Sequence, residues 1–533
     1  MASTLFFYGQ NVQQTFGRAD SLRGFLFPER SSYDVLFYDL EVKILPEMRR
    51  IAGSNLIRFR VLRNTDRIQI DLFENMQIAR ILYEGKELPF QREFNAVFID
   101  FPQQLQRDGI QEIRVFFGGT PQEAVNPPWD GGFVWEKDKN GKDWVGVACE
   151  GLGASMWWPL KDHPSDEPDS MRISLIIPDG LMAVSNGELT GFTRLPGNFN
   201  HFEWFVGYPI NAYNVTVNIG DYTHLEEQYA NQSGDHPLDY YVLTYNREKA
   251  LKHFEQVKDM LRCFESFFGE YPFWEDGYAL VETSYWGMEH QGAISYGNEF
   301  KNNEYGFDYI IVHESGHEWF GNSLSAADHA DLWIHESFTT YSEALFVECM
   351  RDYETALTYL AGQRKLILNR EKIVGPPDVN YNNWSDADMY YKGTWMLQSL
   401  RHTVADDSKW FRALKAFAEK NRMKTLNTVQ VVNFFNRELE KDYSWLFDQF
   451  LNHPDIPLLE YRLEIRRRKA FLSYRWNAAA TGFSMPVDVS VKDREMRLYP
   501  DSEWKEIELR KGSERSLAFD MRTALFNVRE IIE

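Results

Sequence analysis

Residues 310–343, IIVHESGHEWFGNSLSAADHADLWIHESFTTYSE, hold the pattern around which the rest of the chain is organised. His313, Glu314 and His317 form H-E-x-x-H, and eighteen residues separate His317 from Glu336. Residues four apart share one face of an α-helix, so His313 and His317 can aim both imidazoles at one point. Two neutral imidazoles and a carboxylate make a three-ligand zinc site that leaves one coordination position for water. Glu314, beside the first ligand, is placed to take a proton from that water. Glu343, seven residues beyond Glu336, lies on the same helical face and is a candidate to orient a ligand, with a solvated surface acid as the alternative.

Outward from this stretch, the hydrophobic period changes twice. Before it, Tyr33–Val42 and Ile68, Ile70 and Leu72 alternate with polar residues, and strands are expected at 171–177, 181–190 and 213–219. Turns are expected at Gly53-Ser-Asn, Asn126-Pro-Pro and Asp130-Gly-Gly. From about residue 245, apolar residues recur at three- and four-residue steps. Ala250, Leu251, Phe254, Val257, Met260, Leu261, Phe264 and Phe267 predict one amphipathic helix ending near Gly269. Helical patterns continue at about 308–321, 336–349, 351–370, 392–404, 408–421 and 428–451, and Ala293–Tyr296 reads as an edge strand at the substrate rim. After Pro454 and Pro457 alternation returns, in Leu459, Tyr461, Leu463 and Ile465 and again in Val487, Val489 and Val491.

The expected fold is therefore multidomain α+β: an all-β domain over 1–220, a mostly helical domain over 221–453 and a small β domain over 454–533. The last is too short for a robust core of its own and is expected to lean on its neighbours.

Composition excludes several classes. Lys+Arg 57 against Asp+Glu 79 leaves a net charge of −22, which offers no basic footprint for nucleic acid or an anionic membrane. No run approaches the roughly 18 apolar residues of a membrane helix. Residues 1–20 have too short an apolar patch and no basic lead-in for a signal peptide, which implies a cytoplasmic protein by default and an extracytoplasmic one if a leader was removed. The three cysteines, Cys149, Cys263 and Cys349, are far apart and odd in number, and read as buried thiols.

The motifs, taken together, resemble the aminopeptidase N and leukotriene hydrolase family of zinc peptidases, within the gluzincins. Trp333, Glu336, Phe338 and Tyr341 fall on its pattern around the third ligand, W-x-x-E-x-F. Upstream, Trp286-Gly287-Met288-Glu289-His290 is similar to the family's Gly-x-Met-Glu-Asn, with Trp286 in place of the Gly and His290 in place of the Asn. Downstream, Tyr390-Tyr391-Lys392-Gly393 matches Tyr-x-Lys-Gly, and Trp158–Asp162 resembles a further segment, with Glu150 twelve residues before Asp162.

The resemblance implies an all-β saddle, a thermolysin-like catalytic domain and a β-sandwich, in a short form without the C-terminal helical domain of many relatives. It implies one Zn²⁺ per chain on His313, His317 and Glu336. It implies an aminopeptidase acting on peptides with a free N-terminal amine, by zinc-activated water, with Glu314 as general base and Tyr390 stabilising the oxyanion; Tyr391 is the rival for that role. Glu289 and Glu150 would hold the substrate amine, with Trp286, Gly287, Met288 and His290 beside them. The bulk of Trp286 is expected near the first substrate subsite. Two other readings are an epoxide hydrolase, as in the leukotriene branch, and a zinc-stabilised binding protein without catalysis.

Overall fold

The computed structural model describes residues 15–381, 386–467, 469–492, 494–509 and 516–532. Most of the stretch read for a leader, residues 1–14, lies outside them. The α+β architecture expected from the sequence is present: strands first, helices around the H-E-x-x-H segment, strands last.

The first part is built on an eight-stranded sheet. Tyr33–Leu45 pairs antiparallel with Arg50–Val61 and parallel with Ser170–Pro178. Tyr38, Leu40, Val42 and Ile44 are buried on one face of the first strand, as period-two alternation requires, and Val35 is buried across the irregularity between Val35 and Phe37. A four-stranded sheet (Gly132–Lys137, Asp143–Ala148, Met182–Val184, Asn218–Gly220) and a three-stranded sheet (Thr65–Asp71, Phe90–Glu93, Ala96–Leu105) close over it.

Three local expectations change here. Gly53-Ser-Asn is no turn but the middle of Arg50–Val61. Its glycine is needed because a Cβ there would stand 1.9 Å from the Glu41 carbonyl oxygen of the neighbouring strand. The turn lies instead at Pro46–Arg49, where Arg49 takes the left-handed conformation. The strand expected at 181–190 splits into Met182–Val184 and the start of Glu188–Leu195, and that expected at 213–219 shrinks to Asn218–Gly220, preceded by a 3-10 turn at Ala212–Asn214. Buried asparagine amides replace the missing ladder: Asn186 Nδ2 donates to the carbonyls of Asn214 and Gln291.

A five-stranded sheet opens the second part, in the spatial order Tyr222–Ala230, Asp235–Leu243, Tyr278–Glu282, Ile294–Tyr296, Gly287–Met288. Ile294–Tyr296 is thus interior, which overturns its reading as an edge strand; the edge is Gly287–Met288. Alternation alone cannot distinguish the two, because position in a sheet is a property of pairing.

The amphipathic helix expected over 250–267 is two helices, Arg247–His253 and Gln256–Phe268. The Gln256 side chain donates to the His253 carbonyl and accepts from the Asp308 amide, closing the break. The 428–451 pattern likewise splits into Thr428–Glu438 and Ser444–Leu451, with Asn436 Oδ1 accepting from the Tyr443 amide across the turn. Between them the helices Trp333–Met350, Tyr353–Arg364, Asp388–Val404 and Asp407–Lys420 pack into one large core that includes Trp333, Phe338, Trp395, Trp410 and Phe417.

Cys263 and Cys349 form a disulfide with Cα atoms 6.1 Å apart, so two of the three cysteines are not thiols. They lie 86 residues apart in sequence, and only the packing of Gln256–Phe268 against Trp333–Met350 brings them together. Cys149 stays a buried thiol.

The last part consists of a four-stranded and a three-stranded sheet around Leu472, Trp476, Met485, Val487 and Phe526. It does lean on the helices: Leu525 is buried in their core, and Arg364 donates to the Met521 and Phe526 carbonyls.

Candidate metal centre

The H-E-x-x-H helix, Tyr309–Gly316, starts at Asp308, whose carboxylate accepts from the Ile310 amide at 3.0 Å. The same carboxylate also accepts from Tyr296 Oη at 2.8 Å and Asn298 Nδ2 at 2.8 Å and meets His253 Nε2 at 2.7 Å, which locks the start of the helix to the sheet. The helix is shorter than the 308–321 pattern. It ends at His317 in its last turn, and Phe320 and Gly321 then bend the chain away. Trp333–Met350 crosses behind it and is buried from Trp333 through Val347.

These two helices bring together His313 Nε2, His317 Nε2 and Glu336 Oε2. The nitrogens are 3.3 Å apart and each lies 3.6 Å from the carboxylate oxygen. A point equidistant from three atoms so spaced is about 2 Å from each, the distance of zinc from its nitrogen and oxygen ligands. Glu336 Oε2 is buried with no hydrogen-bond partner. His317 Nδ1 meets the Phe320 carbonyl at 3.0 Å and His313 Nδ1 meets Glu343 Oε1 at 2.8 Å. Both protons therefore sit on Nδ1, and two Nε2 lone pairs and an orphaned carboxylate oxygen face one gap. That donor set fits a divalent cation and nothing the chain itself provides. Burial lowers the His317 imidazole to about 3, keeping it neutral. Glu343 is buried, not a solvated acid, and is held in turn by Tyr359 Oη and Gln363 Nε2.

A cavity opens over this gap, lined by Trp129, Glu150, Trp286, Gly287, Met288, Glu289, Tyr309, Glu314, Tyr390 and the three ligating residues, with Pro128, Gly151 and Ile310 completing it. Among the described residues no lysine or arginine lines it, against four glutamates. Burial, opposed by His313 and reinforced by Glu336 and Glu343, raises the Glu314 carboxyl to about 7. Gly287 lies directly against it, since a Cβ at that position would stand 2.4 Å from Glu314 Oε1.

Glu289 is buried at the end of the edge strand, with one carboxylate oxygen accepting from Tyr213 Oη at 3.0 Å. Glu150, Glu289 and His335 can bring one polar atom each within 4.8 Å of one another, and Glu289 does the same with His317 and Glu336. His335 Nε2 accepts from the Ala326 amide at 2.8 Å, so its proton is on Nδ1. That nitrogen has no lone pair for a metal, and the Glu150–Glu289 pair suits a hydrogen-bond-donating cation instead. Glu150 Oε1 is buried without a partner.

Tyr390 lines the cavity and Tyr391 does not, and the Tyr390 ring lies 6.3 Å from that of His313. Met288 and Trp286 line the cavity too. His290 does not: it is fully buried behind the edge strand, its Nδ1 3.0 Å from Ser295 Oγ, and burial holds it neutral at about 3. Sequence reasoning missed Tyr213, His335, Tyr309 and Trp129. Tyr309 was findable, being one turn before His313 on the same face; nothing in the sequence ties Trp129 or Tyr213 to the site.

Residues 252–450 match the peptidase family M1 domain. Glutamyl aminopeptidase of Rattus norvegicus is 22% identical over 493 residues, covering 83% of this chain and 51% of that protein. Aminopeptidase B of Mus musculus is 23% identical over 303 residues, covering 53% and 45%. The chain spans about half the length of these curated relatives. The crystal structure of the M1 zinc metallopeptidase from Deinococcus radiodurans has the same fold, with a TM-score of 0.67 at 19% identity over 80% of this chain and 95% of the other. A mutant of that protein bound to a Tyr-Ser-Ala substrate superposes with a TM-score of 0.68, at 19% identity over 82% and 98%.

Proposed function

We propose, from the premise that this chain carries a peptidase family M1 domain and is similar to aminopeptidases on either side of it, that it is a zinc-dependent aminopeptidase. The observation that carries this reading is the cavity's unbalanced charge: four glutamates and, among the described residues, no lysine or arginine around a three-ligand gap. One cation on His313, His317 and Glu336 leaves Glu289 and Glu150 still requiring a second, and a substrate α-ammonium supplies it.

Zinc bound by the three ligands would polarise a peptide carbonyl and lower the pKa of an attacking water. Glu314, raised by burial, takes the proton from that water and returns it to the departing amine. Tyr390 donates a hydrogen bond from its hydroxyl to the oxyanion as charge develops. Glu289 and Glu150 hold the ammonium, and Tyr213 Oη, donating to Glu289, keeps that carboxylate an acceptor. The amine site lies close to the metal ligands, so only the first peptide carbonyl of an anchored substrate falls within reach. The domain limits 1–220, 221–453 and 454–533 belong to the same reading.

The test is release of chromophore from aminoacyl anilides with free and with acetylated amines, before and after chelation, in the unsubstituted protein and in Glu314→Gln. Cleavage of the free-amine substrate alone, lost on chelation, restored by zinc and absent in Glu314→Gln, is expected. Equal cleavage of the blocked substrate would remove the amine role of Glu289 and Glu150. Zinc bound without cleavage of either substrate would leave a metal-stabilised binding protein.

A further inference from the structure

Two tryptophans stand at the mouth of the cavity with much of their surface in solvent, Trp129 at 65% and Trp286 at 44% exposure. Their ring centroids are 6.4 Å apart; Trp286 stacks on Tyr309 at 5.4 Å, and Tyr309 on His313 at 5.3 Å. Trp286 Nε1 donates to Asn298 Oδ1, which fixes its indole in this ladder. Large aromatic surface left exposed on a cavity rim is a recognition feature, since its burial is deferred until a ligand arrives.

What it recognises follows from the direction of the edge strand, and rests on the aminopeptidase reading above. Along Met288 and Gly287 the chain runs from Glu289, which would hold the amine, to Gly287, which lies against the Glu314 carboxylate, and then to Trp286. Two strand residues span about 7 Å, enough for one ammonium–carboxylate contact and one substrate residue. The bond attacked with the help of Glu314 therefore sits opposite Gly287. Trp286 lies beyond it, on the side of the leaving amine and not beside the first residue.

We propose that Trp286 and Trp129 form the subsite for the second residue of the peptide, and that it selects an aromatic side chain there. An aromatic ring inserted at the indole pair exchanges exposed apolar surface for ring contacts, which favours it over a methyl group by about tenfold.

Rates of N-terminal residue release from Ala-Phe-Ala, Ala-Ala-Ala and Phe-Ala-Ala test this, together with Kd values of the same peptides for the zinc-loaded Glu314→Gln protein. The expected kcat/KM ratio of Ala-Phe-Ala to Ala-Ala-Ala is about ten. It should fall towards one in Trp286→Ala and in Trp129→Ala and be kept in Trp286→Phe, while the ratio of Phe-Ala-Ala to Ala-Ala-Ala holds in Trp129→Ala. Indifference of the unsubstituted protein to the second residue, or variants that shift the first-residue ratio instead, would overturn the proposal. If no peptide is cleaved but Glu314→Gln binds Ala-Phe-Ala preferentially through Trp286, the hydrolytic reading fails and the aromatic subsite stands. Binding without that preference removes the subsite, whatever the hydrolysis result.

Discussion

Around the gap, hydrogen-bond partners orient the candidate metal ligands His313 and His317. The hydrogen bonds described for His313, His317 and Glu343 do not involve the Tyr390 hydroxyl, so Tyr390→Phe should lower kcat by about 10²–10³ while leaving KM and zinc content close to those of the unsubstituted protein. Steady-state kinetics beside metal analysis separates that outcome from a general loss of structure. Glu343 acts one bond further out, through His313 Nδ1 at 2.8 Å. Removing its charge in Glu343→Gln should weaken zinc binding by about 10–100-fold, read by competition with a chromophoric chelator. At this scale the sequence was most informative for the metal. His313, His317 and Glu336 are bound to one another by helical spacing and by one short crossing. The Glu343 role was open in the sequence because a helical face does not say whether it is buried. His290, adjacent in sequence to Glu289 and just past the strand Gly287–Met288, turns away from the cavity, its Nδ1 meeting Ser295 Oγ.

At the scale of elements, the periods located nearly every helix, yet not where they break. The breaks at Phe254–Glu255 and after Glu438 are made by single side chains, Gln256 and Asn436, bonding to backbone that the helix would otherwise use. Such polar caps do not disturb an apolar repeat and so leave no periodic trace. The disulfide is the clearest case of an element pairing that spacing conceals. The protein unfolded without reductant should show one titratable thiol per chain, Cys149, and three after reduction. Three thiols before reduction would show that Gln256–Phe268 and Trp333–Met350 are not cross-linked. Gly287 shows the same limit in the other direction: its place in a motif marks it, but only the packed helix beneath shows that Glu314 occupies the space of a side chain.

Over the whole molecule, the candidate amine site is assembled from parts far apart in the chain. Glu150 comes from the β-rich first part, Glu289 from the edge of the central sheet, and the metal ligands from the helices. Arg23, in the short helix Arg18–Gly24, donates to the carbonyls of Gly151 and Leu152 and so ties down the loop that carries Glu150. Arg23→Met should therefore raise KM for free-amine peptides several-fold with zinc content unchanged; an unaltered KM would mean that Glu150 holds its place without this tie. The sequence by itself determined the α+β class and marked the candidate metal ligands, because periodicity and i, i+4 spacing are local and helices preserve them. It also marked Glu314, Glu289 and Tyr390 as candidates through motif resemblance. Only the tertiary structure decided that Glu150 and Glu289 share a cavity, that Trp129 stands beside Trp286, and that the edge strand is Gly287–Met288. The first two relations join residues more than a hundred positions apart and the third depends on which strands pair; no local rule of backbone geometry carries that information, whereas packing does.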